Sequence, residues 1–183
     1  MERTGLRQEG APCWLRPVSE VDADAIYHAA VESMEHVGKW MSWLTPSYTV
    51  SDSCEWARGA AADWEKDLRY EFVIVDAEDG TVCGCCGLNS INRIDLVCNL
   101  GYWVRASVLR RGMATTAARL LIKFGLHTLG LKRLEIVVAE GNTASRGVAE
   151  KVGAIHEGLQ RMRLRVGDTS HDAHMYACLA GEH

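Results

Sequence analysis

The spacing of apolar positions changes several times along the chain, and each change marks an element. Trp14-Leu15-Arg16-Pro17 reads as a short strand stopped by proline. Val21, Ala25 and Ala29 then recur at fours, predicting a helix capped by Ser19 or Asp22 and ended at Gly38. Residues 39–50 carry Trp40, Trp43 and Tyr48 around Pro46, a ring-rich loop suited to a hydrophobic plug or to a pocket wall. Asp52 with Glu55 three residues on predicts a second helix start, with Trp56, Ala60, Trp64 and Leu68 as a buried stripe. From Tyr70 the period drops to two. Residues 70–75, 81–88 and 96–104 read as three strands joined through turns at 76–80 and 92–95. Helical spacing returns with Met113, Ala117, Leu120, Leu121 and Phe124, and Gly130 stops it. Arg133–Ala139 is a buried strand, Asn142-Thr143 opens a short helix to Val152, and Gly153 provides a left-handed end. Ile155–Val166 and residues 173–179 are the last two strands, linked by a polar turn at 167–172. Strand, two helices, three meandering strands, helix, strand, helix, two strands: this order predicts one α/β (or α+β) sheet domain over residues 13–183, behind a loose polar leader of residues 1–12.

Composition narrows the function classes. The 183 residues are 48% hydrophobic and 24% charged, as in a soluble globular domain, with a formal net charge of −4 that offers no basic surface for nucleic acid. No apolar run is long enough to span a membrane and the start has no apolar signal core, so a cytoplasmic protein is expected. Seven cysteines, an odd number, argue for reduced thiols. Cys83-Gly84-Cys85-Cys86 lacks paired C-x-x-C spacing and a nearby histidine; alternation puts Cys83 and Cys85 on one strand face and Cys86 on the other, which suits small buried hydrophobes and no metal.

The densest chemistry lies in residues 100–121, LGYWVRASVLRRGMATTAARLL. An aromatic strand runs into Arg110-Arg111-Gly112-Met113-Ala114 and then a helix. Free N–H groups at a helix start carry partial positive charge, and small residues let a phosphate approach them. The stretch reads equally as a diphosphate site and as an ordinary strand–helix connection with exposed arginines.

Further motifs decide between these. Gly101-Tyr102-Trp103-Val104, Arg111-Gly112-Met113-Ala114-Thr115, Asn142-Thr143-Ala144-Ser145, Lys151-Val152-Gly153-Ala154 with Glu157-Gly158, and the tail His171-Asp172 to Tyr176 occur in this order. In order and spacing the chain resembles the GNAT superfamily of acetyl-CoA-dependent N-acetyltransferases, and within it the RimJ/RimL-like group that acetylates ribosomal-protein N-termini. The resemblance implies a mixed, mostly antiparallel sheet of about seven strands with about four helices, splayed at its central strand pair. It implies that acetyl-CoA is the cosubstrate, without a metal. Its diphosphate would sit on the turn Leu109, Arg110, Arg111, Gly112, Met113, Ala114 and Thr115, its pantetheine along Trp103 and Val104, and Asn142 would hydrogen-bond it. A backbone N–H near Trp103 or Val104 would steady the carbonyl oxygen, and Ser145 would protonate the departing thiolate. Taken without the family, Asn142 and Ser145 are a helix cap and a first-turn serine.

Departures from the family are informative. Leu109 and Arg110 stand where Gln or Arg and a first glycine are common, and Asn99 stands where a Glu is frequent. Asn cannot accept a proton at neutral pH. The tyrosine that relatives use as acid has no counterpart in Ala149-Glu150-Lys151-Val152. Substitute bases are Glu135, His156, Glu157, His171 and Asp172. The reaction expected is direct attack of an amine on acetyl-CoA in a ternary complex. The resemblance makes the acceptor a protein N-terminus, with a small-molecule amine (polyamine, amino acid or antibiotic) or a non-catalytic coenzyme A sensor as alternatives. No nucleic-acid or membrane partner is expected; oligomeric state is not legible, a homodimer being one option.

Overall fold

The computed structural model describes residues 4–182. Seven strands form one sheet: β1 (Cys13–Pro17), β2 (Tyr70–Asp76), β3 (Val82–Asn92), β4 (Val97–Val104), β5 (Arg133–Ala139), β6 (Ile155–Val166) and β7 (Thr169–Leu179), in the order β1-β2-β3-β4-β5-β7-β6. Every pairing is antiparallel except β4–β5, which is parallel. That parallel pairing lasts for only three residue pairs, Val97↔Arg133, Cys98↔Leu134 and Asn99↔Glu135. Beyond them β4 stays attached to β3 and β5 stays attached to β7, so the two central strands part.

Helices α1 (Ala23–Glu32), α2 (Met34–Val37), α3 (Val50–Glu65), α4 (Met113–Lys123) and α5 (Thr143–Lys151) complete the domain. The main core lies under α4, where Met113, Ala117, Leu120, Leu121 and Phe124 meet Phe72, Leu88, Leu100 and Leu134. A smaller core on the opposite face joins Ile26 of α1 and Ala57 and Ala60 of α3 to Val73, Val75 and Cys85. Gly125 follows α4 in a π-helical turn; a Cβ there would fall 2.9 Å from Leu134 Cδ2 and 3.0 Å from Leu88 Cδ1, so the bare position leaves room for both leucine side chains. Among the described residues no helix is long and apolar enough to cross a membrane, and no three His, Cys, Asp or Glu side chains gather as a metal site. Within the polar N-terminal segment, Leu6 exchanges backbone bonds with Leu15 and is tied to the β1 edge.

Several local expectations are corrected. The first helix is interrupted at Ser33: its hydroxyl donates to the Ala29 carbonyl at 2.6 Å and accepts the Ala106 N–H at 3.1 Å, a long-range bond that local spacing cannot reveal. Val21 is 87% exposed, because residues 20–22 form a separate 3-10 turn ahead of α1. The cap of α3 is Thr49, with Asp52 as its reciprocal partner three residues on, one turn earlier than an Asp52–Glu55 box. Leu68 lies past the end of α3 and is exposed. The last hairpin turns tightly at Gly167-Asp168, so β7 begins at Thr169. A β-bulge opposite Ile74 and Val75 leaves Cys83 as an extra residue on β3. Alternation slips there, and Cys83 joins Cys86 in the main core while Cys85 faces the smaller one.

Glu32 at the end of α1 grips the chain leaving β4. Its carboxylate is ion-paired with Arg105 and accepts the Ser107 N–H at 2.8 Å. The Arg105 bond, reinforced by Ser107, holds its pKa down to about 2. A depressed carboxylate contributes stability that is complete above the unfolded-state value and is lost as pH falls through the folded one. Glu32→Gln should therefore cost about 1 kcal/mol at neutral pH, a difference from wild type that shrinks as urea titrations move from pH 4.5 toward pH 2. Asn142 caps α5, its side-chain oxygen accepting the Ser145 N–H at 3.1 Å. Asn142→Ala should destabilise by about 1 kcal/mol in the same assay, with Asn142→Asp retaining most of the cap.

Candidate active site

The parting of β4 from β5 sets the site. Leu96 directs its carbonyl to Lys132 and Arg133, and Arg105 donates its N–H to Cys83. Because backbone direction alternates along a strand, Leu100, Tyr102 and Val104 turn their polar groups toward the gap, while Gly101 and Trp103 turn theirs to β3. Of the residues expected there, Val104 presents an N–H to the gap and Trp103 does not. The Val104 carbonyl accepts from His36 Nε2 at 3.0 Å, which pins α2 to the edge.

At the end of the gap stands the turn into α4. Arg110 and Gly112 both adopt left-handed conformations, φ 65° and 80°. The first bond of α4 runs from Thr116 N–H to Gly112 C=O, so the N–H groups of Met113, Ala114 and Thr115 have no partner within the helix. A Cβ on Gly112 would meet nothing within 4 Å, so the turn itself leaves open space beside it. Leu109, Arg110 and Arg111 are exposed. The Arg111 guanidinium leans away to Asp76 at 3.1 Å and Glu78 at 3.9 Å, leaving Arg110 as the more available cation of the turn.

Across the gap, α5 brings up Ser145. The Tyr102 hydroxyl lies 3.1 Å from both Ser145 Oγ and the Ser145 carbonyl, which it serves as donor. Burial pushes the Tyr102 pKa to about 12, so the phenol is protonated at neutral pH. Sequence reading missed this tyrosine; the available signal was its even-numbered register with Leu100, on the face that α4 and α5 cover. Asn142 and Ser145 are brought together, though the Asn142 oxygen is used by the helix cap.

On the other face of β4 lies a cavity of about 690 Å³. Its walls include Trp43, Tyr48, Trp56 and Trp103, and its floor Cys85, Gly87, Gly101 and Glu71. The Trp43 and Trp103 rings are 5.6 Å apart, and Trp43 packs edge-on against Tyr48 at 5.3 Å. The aromatic loop of residues 39–50 thus supplies a pocket wall through Trp43 and Tyr48, while Leu44 plugs a small core with Ala30 and Val37. Trp56, expected as core, is half-buried at this wall, whereas Trp64 is buried in the main core. Burial holds the Cys85 and Cys86 thiols well above the usual range.

Four of the five substitute bases are held by neighbouring groups. Glu135 is held by Arg133 at 2.8 Å, and the same guanidinium holds Glu157 at 2.5 Å. His156 bonds His174 at 3.0 Å, and Asp172 accepts the Met162 N–H at 2.8 Å. His171 sits on β7 opposite Leu164. Asn99 donates to Asn89 at 3.0 Å.

Comparisons with known proteins agree with this geometry. A family model described as an acetyltransferase (GNAT) domain matches residues 13–155. Among curated relatives, the uncharacterized N-acetyltransferase p20 of Bacillus licheniformis is 30% identical, the match covering 92% of this chain and 93% of p20. The ribosomal-protein-serine acetyltransferase of Escherichia coli (strain K12) is 22% identical over 89% of this chain and 90% of its own. Among solved structures, Mycobacterium smegmatis RimJ in complex with CoA-disulfide superposes with a TM-score of 0.86 at 26% identity, over 98% of this chain and 87% of RimJ. With a parted central strand pair, an open helix start at its mouth and a family model covering most of its length, the chain belongs to the GNAT acetyltransferase family.

Proposed function

We propose that this protein transfers the acetyl group of acetyl-CoA to a protein N-terminal α-amino group, of the kind borne by ribosomal proteins. The observation that carries the reading is the gap between β4 and β5, which leaves the edge groups of Tyr102 and Val104 beside the helix start at Gly112. Names of relatives support the acceptor class: one acts on a ribosomal-protein serine, and RimJ is held with a coenzyme A disulfide.

Each residue has a task that its geometry suits. The N–H groups from Gly112 to Thr115, flanked by Leu109, Arg110 and Arg111, receive the diphosphate; helix-start donors and open space fit an anion. Val104 and Tyr102 offer an extended ligand the backbone pairing that β5 does not provide, with Trp103 shaping the opposite face by its ring. The Val104 N–H steadies the carbonyl oxygen as negative charge grows on it. Asn142 orders the start of α5 and retains its amide NH2 for the ligand. Ser145 stands where the sulfur leaves and passes it a proton, and Tyr102, whose hydroxyl donates to the Ser145 carbonyl and lies 3.1 Å from Ser145 Oγ, positions that serine. The amine attacks directly from the aromatic cavity, and holding it against the thioester supplies most of the rate. An α-amine, with a reference pKa near 8, loses its proton more readily than a lysine near 10.4.

An acceptor screen with acetyl-CoA, read as a mass gain of one acetyl group on peptides with free N-termini, tests the reading. Modification of such peptides is expected; transfer to lysine side chains or small amines with none to N-termini would replace the acceptor. Gly112→Asp, which sets a carboxylate before the helix-start donors, should weaken acetyl-CoA binding at least a hundredfold by calorimetry while circular dichroism stays native. Ser145→Ala should lower kcat about tenfold to a hundredfold with acetyl-CoA affinity within twofold. Tyr102→Phe should lower kcat less, and an unchanged rate in both would remove this pair from proton delivery.

A further inference from the structure

Glu71 is a buried carboxylate that no step above uses. It lies on β2, directly opposite Gly87 of β3, which is opposite Gly101 of β4. The row Glu71–Gly87–Gly101 therefore has one side chain and two bare positions. That side chain lies over the first bare position: a Cβ built on Gly87 would fall 2.1 Å from Glu71 Oε2. Strands are about 4.8 Å apart, so the carboxyl group stands about one strand spacing from β4, at the floor of the aromatic cavity.

Glu71 is only 8% exposed. Asn89 hydrogen-bonds it, and Asn99 in turn donates to Asn89. The neighbouring cation, Arg69, is committed to Asp63 at 2.7 Å. A buried carboxylate without its own ion pair is costly, and a cation arriving from solvent relieves the cost. The walls favour the same guest, because indole and phenol faces attract ammonium groups, and Trp43, Trp56, Trp103 and Tyr48 surround the approach.

We infer that Glu71 is the acceptor-binding carboxylate of this enzyme: it receives the acceptor as an ammonium ion in the aromatic cavity and takes its proton. This rests on the transferase reading given above and identifies the substrate as a cationic primary amine. In the step, one N–H bond of the ammonium breaks, its electron pair remains on nitrogen, and the proton goes to Glu71. The neutral amine then attacks the thioester carbon; a C–N bond forms, the C–S bond breaks, and the thiolate takes its proton from the Ser145 side. The second proton left on nitrogen is released as the amide forms, to water.

The basicity of Glu71 suits the task. Burial pushes its pKa to about 7, opposed by Arg69 and Asn89 and assisted by Asp63. Other titratable groups at the cavity are Cys85 on β3, Arg69 ahead of β2, Tyr48 in the loop, and Asp52 of α3, which is bound to Thr49; α1 presents Ile26, while the Cys86 thiol and the Tyr102 hydroxyl lie on the opposite face of the sheet. Above pH 7 Glu71 is ionised and can hold an ammonium ion; below it the site becomes neutral and the rate falls. A base with its pKa close to the working pH is the most effective.

The test uses the full-length protein loaded with coenzyme A. The probes are Ser-Ala-Ala-amide and the desamino peptide of the same shape, with binding followed by calorimetry. Wild type should prefer the amine at least tenfold at pH 8, and Glu71→Gln should abolish the preference while acetyl-CoA affinity stays within twofold. In turnover, kcat/KM should fall at least a hundredfold in Glu71→Gln, and the acidic limb near pH 7 should vanish. Gly101→Ala keeps the test independent of Glu71 refolding, since a Cβ there meets only the Asn99 amide nitrogen at 3.8 Å. It should raise KM for the peptide about tenfold without weakening acetyl-CoA. Equal binding of the two peptides by wild type, or wild-type kcat/KM and pH profile in Glu71→Gln, would overturn the assignment. Amine preference lost in Glu71→Gln, in a protein that acetylates no amine, would instead sink the transferase reading and leave Glu71 as a cation site.

Discussion

The structure depends on two strands that stop pairing. β4 and β5 share three residue pairs and then diverge, each retained by its other neighbour. A sheet interior rarely tolerates unpaired backbone groups, since each buried N–H or C=O without a partner is expensive. The protein meets part of that need from outside the sheet. His36 takes the Val104 carbonyl. The remaining edge is where a long, thin ligand gains most by binding, because it completes a ladder that is already half built.

The two faces of β4 divide the chemistry between them. Even-numbered side chains lie under α4 and α5 and reach Ser145, while odd-numbered ones face the aromatic cavity. In the proposed reaction, leaving group and incoming amine would approach one strand from opposite sides. Glu32 and Ser33 tie the end of α1 to the chain leaving β4, so the cavity wall and the gap are fastened at one point. The amide pair Asn99–Asn89 serves the same division. On β4 this chain has an uncharged hydrogen-bond donor, Asn99, while a buried carboxylate, Glu71, stands two strands away on β2.

The fold was largely legible in the sequence because its signals are local. Period two from Tyr70, period 3.6 from Met113, and glycines at 112, 130 and 153 read directly as strands, helix and ends. The turn into α4 was legible for the same reason: its donors are backbone groups whose position follows from where the helix starts. The errors arose where a distant atom intervenes. Ser33 breaks a helix because Ala106 arrives from 73 residues away, and Cys83 changes face because of a bulge set by β2. Glu71 and Tyr102 were invisible as site residues because each is defined by cross-strand register or by a partner on another element. Sequence spacing says which face a side chain takes; it does not say what stands opposite.

The cysteines of β3 acquire a meaning from this arrangement. Cys85, on the cavity face of β3, borders the chamber into which the proposed reaction would deliver an activated acyl group. An ionised thiol there would outcompete an amine for that group and trap the enzyme in a dead-end thioester. Burial holds the Cys85 pKa well above its usual range, so the thiol stays protonated. The same dry floor that raises the proton affinity of a carboxylate also silences the sulfur beside it, so a single low-polarity surface selects nitrogen over sulfur as the nucleophile.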